Sequence, residues 1–140
     1  MRPTLTHVAL HVPDLDACIA FYQRFCGMRI IHQRPGKGAR IVWLAEPDRQ
    51  QEFIFVLMPG GQPRNLASDD YSHLGFALAS REEVDRIAAM AYDEGCLIWS
   101  ARDEPYPVGY YCGLRDPAGN YVEFSYGQPL GPGAESMAQS

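Results

Sequence analysis

Thr6-His7-Val8-Ala9-Leu10 and Ser72-His73-Leu74-Gly75-Phe76 set a histidine in near-identical surroundings 66 positions apart. In each stretch apolar residues alternate with small or polar ones, the period of a half-buried strand. Around the first, Val8, Leu10 and Val12 share one face of a strand over residues 5–12, while Leu5, His7, Ala9 and His11 share the other. Pro13 breaks that strand, and Asp14 is placed to cap a helix in which Leu15, Cys18, Ile19 and Tyr22 recur at helical spacing. Gly27 is placed to end it in the left-handed conformation. Strand-like runs follow at 28–32, 41–44 and 53–58.

The second stretch repeats this order. Leu74, Phe76 and Leu78 form one strand face; His73, Gly75 and Ala77 form the other. Ser80-Arg81-Glu82-Glu83 reads as a capping box, and Val84, Ile87, Ala88 and Ala91 as the buried stripe of a helix that stops at Gly95. Strands over 97–99, 110–114 and 121–126 complete a second βαβββ set. Aligning Gly27 with Gly95 gives an offset of 68, which pairs Phe55 with Glu123. A small loop insertion accounts for the difference at the histidines, so an internal repeat is expected. The predicted fold is α+β: one domain over 1–127 made of tandem βαβββ modules at 4–58 and 71–127. Pro59-Gly60-Gly61-Gln62-Pro63 begins the linker, and a loosely ordered tail is expected over 128–140.

Apolar content of 46% and charged content of 21% over 140 residues are those of a soluble folded chain. A net charge of −5 without a Lys/Arg cluster argues against nucleic acid or an anionic membrane as the main partner. No apolar run is long enough to span a bilayer, and Met1-Arg2-Pro3-Thr4 does not open a signal peptide. Cys18, Cys26, Cys96 and Cys112 lack CxxC spacing, so reduced, buried thiols and a cytoplasmic location are expected.

The chemistry enters with Asp116-Pro117-Ala118-Gly119-Asn120-Tyr121-Val122-Glu123-Phe124, a tight turn leading into a strand. Strand parity gathers Tyr121, Glu123 and Ser125 on one face and the apolar Val122, Phe124 and Tyr126 on the other. His7, His73 and Glu123 thus supply two imidazoles and a carboxylate on strands of a duplicated module, a donor set for one divalent metal. Ala9 and Gly75, two residues beyond the histidines, leave room for the ion and its ligand. Fe(II), Mn(II), Ni(II) and Zn(II) all suit such donors. Taken singly, each residue has an ordinary alternative as a strand histidine or a surface carboxylate; as a set within the repeat they favour the metal.

His7-Val-Ala-Leu-His-Val-Pro-Asp-Leu, Phe21-Tyr22, Gly27-Met28, His73-Leu-Gly-Phe-Ala-Leu and Asp116-Pro-Ala-Gly-Asn-Tyr-Val-Glu123-Phe together resemble the vicinal oxygen chelate superfamily over roughly residues 4–127. That superfamily contains glyoxalase I, type I extradiol dioxygenases, fosfomycin-resistance enzymes and bleomycin-resistance proteins. The resemblance implies curved, mostly antiparallel sheets forming a metal-binding cup. It also implies a homodimer whose metal sites are shared between subunits. Glyoxalase I carries a fourth ligand, a glutamate on the last strand of the first module. The position aligned with it here is Phe55, and Glu52 lies three residues earlier with the opposite parity. Without that carboxylate, the two-His-one-carboxylate triad of Fe(II) oxygenases is the better match. Dioxygenase-type cleavage of a small catechol-like substrate is therefore the expected reaction, with Fe(II) favoured. A glyoxalase-type lyase or isomerase and a non-catalytic drug-binding protein are the alternatives.

The fosfomycin branch fits less well, since Ala9 stands where it has threonine and the second module's strands carry no lysine. For proton transfer the dioxygenases use a histidine and a tyrosine near the metal. The aligned tyrosine position holds Gly113, but Tyr111 has the right parity and Tyr110 does not. His11, on the His7 face, and His32, on the next strand, are candidate relays, with an exposed or capping histidine as the alternative for each. Phe53, Phe55, Trp43 and Tyr121 either line an aromatic pocket or belong to the sheet core.

Overall fold

The computed structural model describes residues 1–36 and 39–134. The expected tail falls partly outside: 135–140 are not among the described residues, and 128–133 form a run of bends and turns. The elements run β1 (His7–Val12), α1 (Leu15–Cys26), β2 (Arg29–Gly36), β3 (Ala39–Ala45), β4 (Ile54–Pro59), β5 (His73–Ala77), α2 (Arg81–Asp93), β6 (Leu97–Glu104), β7 (Gly109–Arg115) and β8 (Tyr121–Tyr126). Two compact units divide them, Met1–Arg64 and Asn65–Ser140. Each is a four-stranded sheet with one helix, so the α+β reading and the two βαβββ modules hold. Among the described residues no helix is long and apolar enough to cross a membrane.

In the first unit the sheet order is β1-β4-β3-β2, with β1 and β4 parallel and the other two pairings antiparallel. Asp14 starts α1 as expected: its backbone is extended and its carboxylate accepts the Ala17 amide at 3.0 Å. Losing such a cap costs about 1 kcal/mol. Gly27, at φ +63°, ends the helix, and Met28 N–H then donates to Tyr22 O at 3.2 Å, closing the last turn. Cys18 and Tyr22 are fully buried against Val12, Val42, Leu44 and Leu57 of the sheet. The Tyr22 ring meets Phe55 edge-on at 5.5 Å. This apolar layer takes one sheet face. The other carries His7, Ala9 and His11, all exposed.

The second unit repeats the plan as β5-β8-β7-β6, again with a single parallel pair, β5 and β8. Ser80 caps α2 by accepting the Glu83 amide at 3.2 Å. The reciprocal half of the capping box differs from expectation: the Glu83 carboxylate accepts from Ala79 N–H, one residue earlier. Val84, Ala91, Cys112, Leu114, Val122 and Phe124 make the core under α2 with no exposure. Tyr110, on this helix side of β7, donates its hydroxyl to Asp85 of α2. Two strands extend past their expected ends, β2 to Gly36 and β6 to Glu104. Polar residues such as Gln33 and Arg102 hide the alternation there, while antiparallel partners keep the ladder going.

Candidate metal centre

β5 and β8 lie side by side with His73 paired to Tyr121 and Gly75 to Glu123. Paired residues share a face, so the His73 and Glu123 side chains project from the same side of the sheet. His73 Nε2 stands 3.8 Å from Glu123 Oε2. The other imidazole nitrogen, Nδ1, donates to Tyr71 O at 2.6 Å. A backbone carbonyl can only accept, so this bond places the proton on Nδ1 and leaves the Nε2 lone pair directed at the carboxylate. An outer hydrogen bond of this kind is what a metal-ligating histidine ordinarily has. A Cβ at Gly75 would lie in ordinary contact with Glu123 Oε2, at 3.6 Å, so the glycine leaves about a methyl group of extra room beside the carboxylate.

The two buried carboxylates of this unit differ sharply. Asp116, 2% exposed, accepts the amides of Ala118 and Asn120 at 2.9 and 2.8 Å and the Asn120 side-chain amide at 3.0 Å. It builds the turn before β8. Glu123, 8% exposed, has a single hydrogen bond among the described residues, a long one from Gln128 Nε2 at 3.4 Å. A buried carboxylate with so little compensation is costly unless a cation completes its surroundings. The donor set therefore fits a divalent metal.

Aromatic rings flank the pair. Trp99 packs edge-on to His73 at 5.9 Å and to Tyr121 at 5.5 Å. Its ring covers Gly113, where any Cβ would come within 2.1 Å of Cε3. Trp99 pairs with Gly113 between two register shifts of β6, and its indole takes the volume that a side chain at position 113 would need. Tyr111 pairs with Ser125 and lies on the face of Glu123, two positions along β7 from Gly113.

In the first unit, His7 Nδ1 lies 3.0 Å from Thr6 Oγ1 and the side chain is exposed at the start of β1. His11 is exposed near the other end of the strand, about 13 Å away at the usual rise per residue. Trp43 shares the His7 face, with its ring 5.1 Å from His32. Its Nε1 is buried without an acceptor among the described residues. Within neither unit do three His, Cys, Asp or Glu side chains gather among the described residues. The structure brings His73 and Glu123 together and leaves His7 and His11 on the face of the other unit.

One alignment needs correction. His7 pairs with Ile54 and Ala9 with Val56, whereas His73 pairs with Tyr121 and Gly75 with Glu123. The residue equivalent to Glu123 is thus Val56. Phe55 is 5% exposed and belongs to the core under α1, so it lines no pocket beside His7. Counting from the helix-ending glycines overshot by one because the repeats differ in loop length. The corrected position still lacks a carboxylate, and Glu52 is held before β4 by Arg49 at 2.6 Å. Tyr71, Trp99 and Gln128 were missed as site residues. Trp99 reads as an ordinary residue of the strand over 97–99, Tyr71 only precedes one, and Gln128 falls in the expected tail.

Duplicated βαβββ units, each opening on a strand histidine and one answering it with a buried glutamate, define a chain of the vicinal oxygen chelate type. The sequence model of the Glyoxalase/Bleomycin resistance protein/Dioxygenase superfamily matches residues 4–124, and the chain belongs to that superfamily. An uncharacterized Pseudomonas aeruginosa protein is 77% identical over 137 residues, covering 98% of both chains. The fosfomycin resistance protein of Listeria monocytogenes, solved with Mn(II) and a sulfate ion, is similar in fold. It is 20% identical with a TM-score of 0.66 over 89% of this chain and 92% of that one. The trypanothione-dependent glyoxalase I of Leishmania major is 19% identical with a TM-score of 0.67, over 99% of this chain and 92% of that one.

Proposed function

We propose that the chain is a divalent-metal-dependent enzyme in which His7, His73 and Glu123 would hold one ion, to which a small, catechol-like substrate would bind as a chelate through two oxygens. The observation that carries this is the His73–Glu123 pair. Its two donor atoms, His73 Nε2 and Glu123 Oε2, are 3.8 Å apart, close enough that one ion could be shared between them. The bound ion supplies Lewis acidity and, with one carboxylate and two neutral imidazoles, a net charge that attracts an anionic chelate.

The chain's own residues do the remaining work. Tyr71 O keeps the His73 proton on Nδ1, so Nε2 is the ligand. Trp99 and Tyr121 give an aromatic wall beside the pair, suited to a planar ring. Tyr111, on the Glu123 face, is the candidate to move a proton at a substrate oxygen, whereas His11, about 13 Å along β1 from His7, is too far to reach one. Val56, where a fourth carboxylate would stand, favours a three-ligand site with room for a chelating substrate and dioxygen. Dioxygenase-type ring cleavage with Fe(II) is accordingly the first reading, and Mn(II), Ni(II) or Zn(II) the other metals to test. A glyoxalase-type lyase or isomerase is the second reading, favoured by the likeness to glyoxalase I. In the same proposal the protein acts as a homodimer, His7 of one chain completing the His73–Glu123 pair of its partner.

Metal analysis of anaerobically purified protein tests the centre. One ion per chain is expected, and His73→Ala should abolish it; retained stoichiometry in that variant overturns the assignment. Oxygen uptake with Fe(II) and a catechol panel, set against hemithioacetal turnover with Ni(II) or Zn(II), tests the reaction. Turnover in the second assay alone reverses the ranking.

A further inference from the structure

The superfamily match ends at Phe124, yet the chain after it does not leave the sheet. Gly127 turns the backbone at φ +99°, a conformation that side chains resist. Gln128 then reaches back to Glu123 Oε2 at 3.4 Å. Gly131 lies against Ala77, whose Cβ would be only 2.5 Å from a Cβ at position 131. Gly133 lies against the Tyr126 ring and Leu78 O in the same close manner. Ala77 follows His73 and Gly75 on the metal-facing side of β5, while Tyr126 has the opposite parity, so the segment crosses the Ala77 end of the metal-facing side and then turns away from it.

Burial records the crossing. Along the metal-facing side of β8, Tyr121 is half-buried, Glu123 is 8% exposed and Ser125 is 2% exposed. The same three positions of β4 in the first unit, Ile54, Val56 and Met58, are all half-buried. The strand becomes more covered toward the end where residues 127–134 cross. At the other end the His73 side chain stays 36% exposed.

We infer that residues 127–134 form a strap belonging to the metal centre, and that Gln128 is a positioning residue for the ligand Glu123. Its amide N–H donates to Oε2, the oxygen that faces His73, and so selects one rotamer of the carboxylate. The strap closes the Ala77 end of the site, so substrate approaches from the side of His73, Trp99 and Tyr121. This rests on the metal-site reading above, deepening it with a residue beyond the family's common domain.

The test is Mn(II) titration of the full chain, with the Co(II) visible spectrum as reporter of ligand geometry. Gln128→Leu should weaken Mn(II) binding by about 10-fold, the usual effect of losing an outer hydrogen bond. It should also shift the Co(II) bands while leaving the melting temperature of the metal-free protein unchanged. Gly131→Val, which lifts the strap off Ala77 with Gln128 intact, should give a similar loss; Pro129→Ala, at an exposed position of the strap, should give none. If wild-type protein binds one ion but Gln128→Leu and Gly131→Val both bind within about twofold of it, the strap inference fails and the centre stands. If wild-type protein binds no ion, both fail.

Discussion

Gly113→Ala adds one methyl group to the second sheet, and the geometry says where it collides. The new Cβ would lie 2.1 Å from Cε3 and 2.6 Å from Cδ2 of Trp99. Carbon atoms prefer about 3.5–4.0 Å, so the indole must retreat by about 1.5 Å. The indole is half-buried and flanked edge-on by His73 at 5.9 Å and Tyr121 at 5.5 Å, so its retreat disturbs both contacts. Gly113 lies in regular β7 with no left-handed backbone, so the alanine itself brings no conformational strain. Overpacking of this kind costs about 1–3 kcal/mol. For a chain of this size that lowers the melting temperature by roughly 2–10 °C. A double-mutant cycle isolates the collision: on a Trp99→Ala background, Gly113→Ala should be neutral or slightly stabilising, giving a coupling of about 1 kcal/mol or more. Equal destabilisation on both backgrounds, or none on either, would refute this account of why the position is glycine.

The two buried carboxylates should respond in opposite ways. Asp116→Ala should cost about 2–4 kcal/mol by thermal unfolding, since three donors lose their acceptor, while Glu123→Gln should leave the metal-free protein at least as stable and remove metal binding. A loss of metal-free stability in Glu123→Gln as large as that of Asp116→Ala would make Glu123 a structural residue. Burial, with Asp85 and Glu123 adding to it, pushes the Cys112 thiol up to about 12 from its ordinary 9.0. The folded value exceeds the unfolded one, so stability from this group is complete below about pH 9 and is lost as pH rises toward about 12. Urea unfolding should record that alkaline decline, with a shallower slope in Cys112→Ala; an unchanged slope would count against it. Mixing His7→Ala with Glu123→Ala protein should restore one intact metal site per mixed dimer, and no recovery in proven heterodimers would mean each site is built within one chain.

Much of the protein is legible from local rules. Asp14 and Ser80 cap helices because a short polar side chain reaches an unpaired amide three residues on, and Gly27 ends one because it tolerates the left-handed backbone. Strand parity separated His73 and Glu123 from the apolar Leu74 and Val122, and Tyr111 from the helix-facing Tyr110. Those are properties of neighbours along the chain, and the order of residues contains them. Register is not. Val56, and not Phe55, answers Glu123 because hydrogen bonds between β1 and β4 align His7 with Ile54 while Phe55 packs on Tyr22. Trp99 over Gly113 and Gln128 on Glu123 likewise join segments whose meeting depends on how β6 pairs with β7 and on a turn at Gly127. Such contacts are decided by how the sheet pairs and what volume remains over it, and only the folded chain holds that information.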